Sequence, residues 1–237
     1  MPKSTAPLPD WELVLASAAR LQKILPEAVL VGGTASAIHA RHRLSRDADH
    51  VLTDLRDRFD AVLAELESVA GWKTARVQRP VQILGSLDGI ETGIRQLIRA
   101  EPLETTVVER NGASIRIPTD AEILRIKGIL ILRRNATRDY LDFVALADHI
   151  GDAAVAQALE PFDRLYHQDN GESALQQLQA QLASAMPYDL EETELSEYKN
   201  LDARWHDWQV VKSACARLSV GIFDRVCEMQ RTQRPRG

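Results

Sequence analysis

Residues Val29–Leu52 read VLVGGTASAIHARHRLSRDADHVL. A short apolar strand, Ala28–Val31, runs into Gly32-Gly33, a helix over Thr34–His42 follows, and a second strand, Arg46–Leu52, carries Asp47 and Asp49. In a strand, positions i and i+2 point to one face, so the two carboxylates project together about 7 Å apart along the chain. Such a pair repels itself unless a positive charge sits between, and a divalent cation is the natural partner. The glycines permit a tight turn and open a helix whose first N–H groups can receive a phosphate. Taken singly, a structural turn and a pair of surface acids account for each half. In the order strand, Gly-Gly, helix, Asp-x-Asp, with thirteen residues between Gly33 and Asp47, the two halves together point to metal plus phosphate.

Outward from this stretch, Asp10 is placed to cap a helix from Trp11 to Leu25, which Pro26 ends. Asp54–Ala70 reads as an amphipathic helix with Phe59, Val62, Leu63, Leu66 and Val69 on one stripe. The period then changes: Trp72–Val77, Val81–Leu87, Ile90–Arg99, Thr105–Glu109 and Ala113–Ile117 read as strands of an antiparallel meander. Asp88-Gly89 and Asn111-Gly112 are its hairpin signals, because both residues of a type I′ turn need positive φ. After Pro118 the pattern is helical, with Thr119 as N-cap and Glu122 three residues on. The expected fold class is therefore α+β: a mixed sheet with flanking helices over residues 1–118, then a helical domain over 119–237.

The Gly-Gly/Asp-x-Asp spacing resembles the signature of the nucleotidyltransferase superfamily related to DNA polymerase β. Within it, Gly32-Gly33-Thr34-Ala35 with His42-Arg43, Ser45, Asp47 and Asp49 is similar to the AbiEii/AbiGii-type toxin branch. Lys127, Arg134, Arg138-Asp139 and Asp142, in KGILILRRNATRDYLDF, match that branch's lysine helix and Arg-Asp-x-x-Asp helix. The resemblance covers roughly residues 25–150. It implies a metal-dependent enzyme moving NMP from an NTP to an acceptor hydroxyl. Asp47 and Asp49 would hold Mg²⁺ or Mn²⁺. Gly32, Gly33 and Thr34 would cradle the triphosphate through their amides and the Thr34 hydroxyl. Lys127 would face its charge, Arg138 would do the same or contact the acceptor, and Asp139 would orient Lys127 or Arg138 at the nucleotide. The superfamily also implies a third carboxylate on a strand beside Asp-x-Asp; on the face of Ile90–Arg99 that carries Gly93, Arg95 and Leu97, the acid is Glu91. Implied partners are the NTP, an RNA, tRNA or protein acceptor, and an antitoxin protein. Two other readings stay open: a fold relative that binds nucleotide or RNA without turnover, and a helical protein-interaction module.

Composition narrows the field. With 29 basic and 34 acidic residues the net charge is −5, so nucleic-acid binding needs a local patch, for which Arg41, Arg43, Arg46, Arg76, Arg79, Arg95 and Arg99 are candidates. Cys215 and Cys227 fit neither a zinc set nor a disulfide framework. The Trp205/Trp208 pair, with Tyr188 and Tyr198, reads as helix core or as base-stacking surface. No apolar run has transmembrane length and the start lacks a signal-peptide core. The expectation is a cytoplasmic protein without a membrane partner.

Overall fold

The computed structural model describes residues 10–110 and 112–233, with side chains to residue 228. The leader expected over residues 1–9, Asn111 of the Asn-Gly turn and the end of the basic C-terminal run lie outside them. The chain forms two compact units, Met1–Ala35 with Leu44–Pro118, and Ser36–Arg43 with Thr119–Gly237.

In the first unit, α1 (Trp11–Ile24) is capped by the Asp10 carboxylate, which accepts from the Glu12 N–H. β1 (Val29–Leu30) leads to α2 (Gly32–Ala40), whose first turn is the Gly-Gly pair itself, with Gly32 at φ 71°. Then come β2 (Ala48–Leu52), α3 (Phe59–Glu67), β3 (Trp72–Gln78), β4 (Gln82–Leu87) and β5 (Ile90–Gln96). The sheet runs β1-β2-β5-β4-β3, with β2 parallel to β5 and every other pair antiparallel. Asp88 and Gly89 both take positive φ, 54° and 82°, as the hairpin signal requires.

One face of this sheet carries the core. Leu52, Trp72, Ile83, Leu87 and Ile94 pack with Leu21 and Leu25 of α1 and with Phe59, Val62 and Leu66 of α3. The α3 helix is shorter than the expected Asp54–Ala70. Its approach is a turn held by Asp57 and Arg58 N–H groups on the Asp54 carbonyl and by an Arg58–Asp54 ion pair of 2.7 Å. The expected single meander is also corrected: β6 (Thr105–Arg110) and β7 (Ala113–Pro118) form a separate hairpin. The far edge of β5 is taken by β2, so no further strand can add there. The backbone of Arg116 in β7 bonds instead to the Gln22 side chain of α1, N–H and carbonyl each at 2.8 Å.

The second unit is helical: α4 (Asp120–Arg134), α5 (Thr137–Ile150), α6 (Asp152–Leu159), α7 (Phe162–Leu165), α8 (Ala174–Ala183) and α9 (Trp208–Gln233). Thr119 caps α4 and Asn135, at φ 48°, ends it. A Cβ on Gly128 would lie 2.9 Å from Leu178 and 3.1 Å from Phe162, so only glycine lets α8 and α7 approach α4 this closely. Trp205 is buried, and Trp208 meets Tyr140 edge-on at 5.9 Å, which makes the Trp pair packing. Burial pushes the Cys215 thiol up to about 12, so it stays protonated and inert. Tyr188, 75% exposed, is outside the core.

Candidate active site

The strand register sets out the second face of the sheet. Directly opposed residues share a face. Asp49, Gly93, Leu84 and Arg76 therefore form one row across β2, β5, β4 and β3, flanked by Glu91–Ser86–Lys73 on one side and Val51–Arg95–Gln82–Gln78 on the other. Apart from Gly93, none of these residues is fully buried, and Glu91, Arg95, Lys73 and Arg76 are exposed. Alternation along β2 puts buried Ala48 and His50 on the core side and Asp49, half-buried, on the open side; Asp47, expected inside the strand, lies just before it and is also half-buried.

Both acids are held. The Ser45 hydroxyl donates to Asp47 Oδ1 at 2.7 Å. The Val31 N–H donates to the Asp49 carbonyl at 2.8 Å, which ties β2 to the residue preceding the Gly-Gly turn. The Asp49 carboxylate then lies between two glycines. A Cβ added to Gly32 would stand 3.8 Å from Asp49 Cβ and 4.0 Å from Oδ2, an ordinary contact; one added to Gly93 would stand 2.6 Å from Oδ1, so the Asp49 carboxylate would have to shift. Beneath them the Thr92 hydroxyl and His50 Nδ1 both donate to the Ala48 carbonyl. Burial lowers the His50 pKa to about 4, so the ring is neutral and part of the core.

The Thr34 hydroxyl has a different use from the expected phosphate contact. It is wholly buried and donates its one hydrogen to the Asp47 carbonyl, fastening α2 to the start of β2. Gly33 and Thr34 stand in the first turn of α2, where backbone N–H groups lack an intrahelical acceptor, while the Ala35 N–H bonds the Val31 carbonyl.

Glu91 lies on the same face as Asp49, but the residue paired with Asp49 is Gly93. Among the described residues, no group of three or more His, Cys, Asp or Glu side chains is arranged to hold a metal ion. Asp47 and Asp49 alone fit a hard cation that takes its remaining oxygens from water or a phosphate, the usual coordination of Mg²⁺ in nucleotide enzymes.

Lys127, Asp139 and Asp142 come together within the second unit. Asp142 is fully buried and accepts from His42 Nε2 at 2.8 Å, from Arg43 Nε and Nη2 at 2.8 and 3.0 Å, and pairs with Lys127 Nζ at 2.6 Å. Asp139, equally buried, accepts from Lys127 at 3.3 Å and from Arg134 at 3.1 and 2.7 Å. Burial alone would push the Asp142 carboxyl up, but Arg43, Lys127 and His42 outweigh it and hold the group well below the usual carboxylate range. Lys127, expected to face the triphosphate, is 2% exposed and pairs with these two acids. These bonds also explain why Ser36–Arg43 belongs to the second unit. Arg138 is exposed on α5. Sequence reasoning named the lysine and both acids, but the partner set of His42 and Arg43, a hundred residues away, has no local signal.

No family model matches the chain. It is 30% identical over 241 residues to the heme uptake protein MmpL11 of Mycobacterium tuberculosis, over 92% of this chain and 23% of that protein. It is 28% identical over 218 residues to the mycolic acid-containing lipids exporter MmpL11 of Mycolicibacterium smegmatis, over 91% of this chain and 22% of that one. The chain thus spans under a quarter of the length of the curated relatives it matches. No helix among the described residues is long and apolar enough to cross a membrane. Among solved structures, an H. pylori protein assigned to the nucleotidyltransferases superposes over 94% of this chain and 96% of its own, with TM-score 0.51 and 15% identity. An antigenic nucleotidyltransferase-like protein from Paracoccidioides brasiliensis aligns over 60% of this chain and 78% of its own, with TM-score 0.45 and 18% identity. At such identity the likeness is one of architecture: the chain has the α+β nucleotidyltransferase fold.

Proposed function

We propose that the chain is a nucleotidyltransferase that moves NMP from an NTP to an acceptor hydroxyl. The observation that carries this reading is the Asp49 carboxylate beside the Gly32 turn and Gly93, with half-buried Asp47 two residues before it. In the reaction the acceptor oxygen bonds to the α-phosphorus, the bond from that phosphorus to the β-phosphate bridge breaks, and pyrophosphate leaves. A divalent cation on Asp47 and Asp49, Mg²⁺ or Mn²⁺, would offset the triphosphate's charge. Amides of Gly33 and Thr34 at the start of α2 receive phosphate oxygens. Ser45 orients Asp47 through its hydroxyl. Glu91, exposed on the same face, is the carboxylate proposed to take the acceptor's proton.

The open face favours RNA, including tRNA, as acceptor over a protein side chain. Arg95, Arg76 and Lys73 are exposed on it across from the acids. Asp49 and Arg76 stand three strands apart, about 14 Å by the usual strand spacing, a reach suited to two or three backbone phosphates. The resemblance of the Gly-Gly/Asp-x-Asp stretch to AbiEii-type toxins supports a toxin role, with an antitoxin as partner and action in the cytoplasm. Heme uptake and lipid export belong to whole proteins of which this chain spans under a quarter, and neither is attached to it.

The test is incubation with α-labelled NTPs, Mg²⁺ or Mn²⁺ and total RNA, with a protein mixture in parallel. Label should enter RNA, and Asp49→Ala should reduce transfer at least about 100-fold, since loss of groups that merely support a metal ligand already costs 10–100-fold. Label in protein alone would replace the acceptor. Nucleotide-dependent thermal stabilisation without transfer would favour the binding-only reading, and absence of any nucleotide binding would favour an interaction module.

A further inference from the structure

Nucleotidyl transfer in this fold is associated with two metal ions clamping the attacking and leaving oxygens, which requires protein ligands beyond an Asp-x-Asp pair. The surroundings of Asp49 decide whether this chain can supply them. β2 has two neighbours in the sheet, β1 and β5. On the β1 side the residue bonded to Asp49 is Val31, followed by Gly32. On the β5 side it is Gly93. Neither neighbour offers a carboxylate level with Asp49. A Cβ on Gly93 would meet the ends of two side chains, 2.6 Å from Asp49 Oδ1 and 2.9 Å from Leu84 Cδ2, so an acid there would have to move Asp49 aside. The Asp49 carboxylate itself leans into the place where an acid from β5 would rise.

We infer that this site holds one divalent cation with the nucleotide, on Asp47 and Asp49, and has no protein ligands for a second ion at the acceptor hydroxyl. The inference rests on the nucleotidyltransferase reading and sharpens it. Two carboxylates, water and triphosphate oxygens complete one octahedral shell. A second ion needs at least one further anionic ligand on the acceptor side, and the described residues give no group of three acids, histidines or cysteines to hold it. Glu91 then acts on the acceptor's proton without touching the metal. The consequence is a separation of roles that a three-carboxylate site does not allow: loss of Glu91 slows transfer and leaves metal binding intact.

Mn²⁺ titration followed by electron paramagnetic resonance, with a non-hydrolysable α,β-methylene NTP analogue on the full chain, counts the ions directly. One Mn²⁺ per chain is expected. Asp49→Asn should lose it, and Glu91→Gln should retain it with affinity within about threefold while transfer falls. Two Mn²⁺ per chain in the unsubstituted protein would overturn the inference and leave the nucleotidyltransferase reading standing. Loss of an ion in Glu91→Gln would overturn it in the same way. Binding of the analogue with no Mn²⁺ at all would overturn both. Gly93→Asp provides a second check from the other side: the new side chain should displace Asp49 and weaken the single ion, and a gain to two ions would show that the place above Gly93 is open. Thermal melting of Gly93→Asp separates this effect from misfolding, and the Glu91→Gln outcome stands without it.

Discussion

The chain holds two pairs of aspartates that look alike in sequence and are handled in opposite ways. Asp139 and Asp142 in the second unit are fully buried, and the protein answers their charge from within, with Lys127, Arg43 and Arg134 at 2.6–3.3 Å and His42 alongside. Asp47 and Asp49 in the first unit are only half-buried: the Ser45 hydroxyl bonds Asp47, and Asp49 sits beside Gly32 and Gly93. Acids neutralised by the fold serve the fold. Acids kept at the surface are the ones proposed to hold a cation.

Three measurements bear on this contrast. The largest effect is expected from Asp142→Asn. Removing one partner of a buried ion cluster leaves Arg43 and Lys127 buried with less compensation, a loss of about 3–5 kcal/mol, readable in urea unfolding. Asp49→Asn, at a half-buried site, should change stability by much less than Asp142→Asn does. Equal losses in the two variants would erase the distinction between the pairs. The sign with pH follows: the Asp142 carboxyl lies well below its unfolded value when folded. Its contribution is therefore full above the unfolded carboxyl pKa of about 4 and is lost as pH falls from there toward the folded value.

A second effect separates the two units by pH range. His50 titrates at about 4 when folded because burial opposes its charge, against an ordinary value of 6.5. The unfolded chain thus binds a proton that the folded chain refuses, and stability declines as pH drops from 6.5 toward 4, by on the order of 3 kcal/mol from this group. His50→Gln should flatten that window in a pH series of unfolding curves while leaving the Asp142 loss at lower pH. An unchanged slope would place the titration elsewhere.

The smallest effect is Thr34→Val. It removes the hydroxyl that ties α2 to the Asp47 carbonyl and should cost about 1 kcal/mol. On the proposed amide-based phosphate binding, nucleotide affinity should be little changed when measured by calorimetry. A large loss of nucleotide affinity with stability unchanged would return the hydroxyl to the phosphate role first expected of it.

The legible part of this protein lies in short-range chemistry. Gly32, with its positive φ, marks a turn that other residues resist. The Asp88-Gly89 hairpin, the Thr119 cap and the alternation of Asp49 with buried Ala48 and His50 are fixed by residues a few positions apart, and these gave most of the elements, the α+β class and the place of Asp49 on β2. Pairings across the chain had no such signal. That β2 lies parallel beside β5, bringing Gly93 instead of Glu91 opposite Asp49, follows from packing of Leu52, Ile83 and Ile94 over α1 and α3. That Lys127 points inward follows from the cost of leaving Asp139 and Asp142 buried without cations. Sequence determined which side chains could do chemistry; tertiary structure decided which of their charges the fold had already used, because burial and register are properties of residues far apart in the chain.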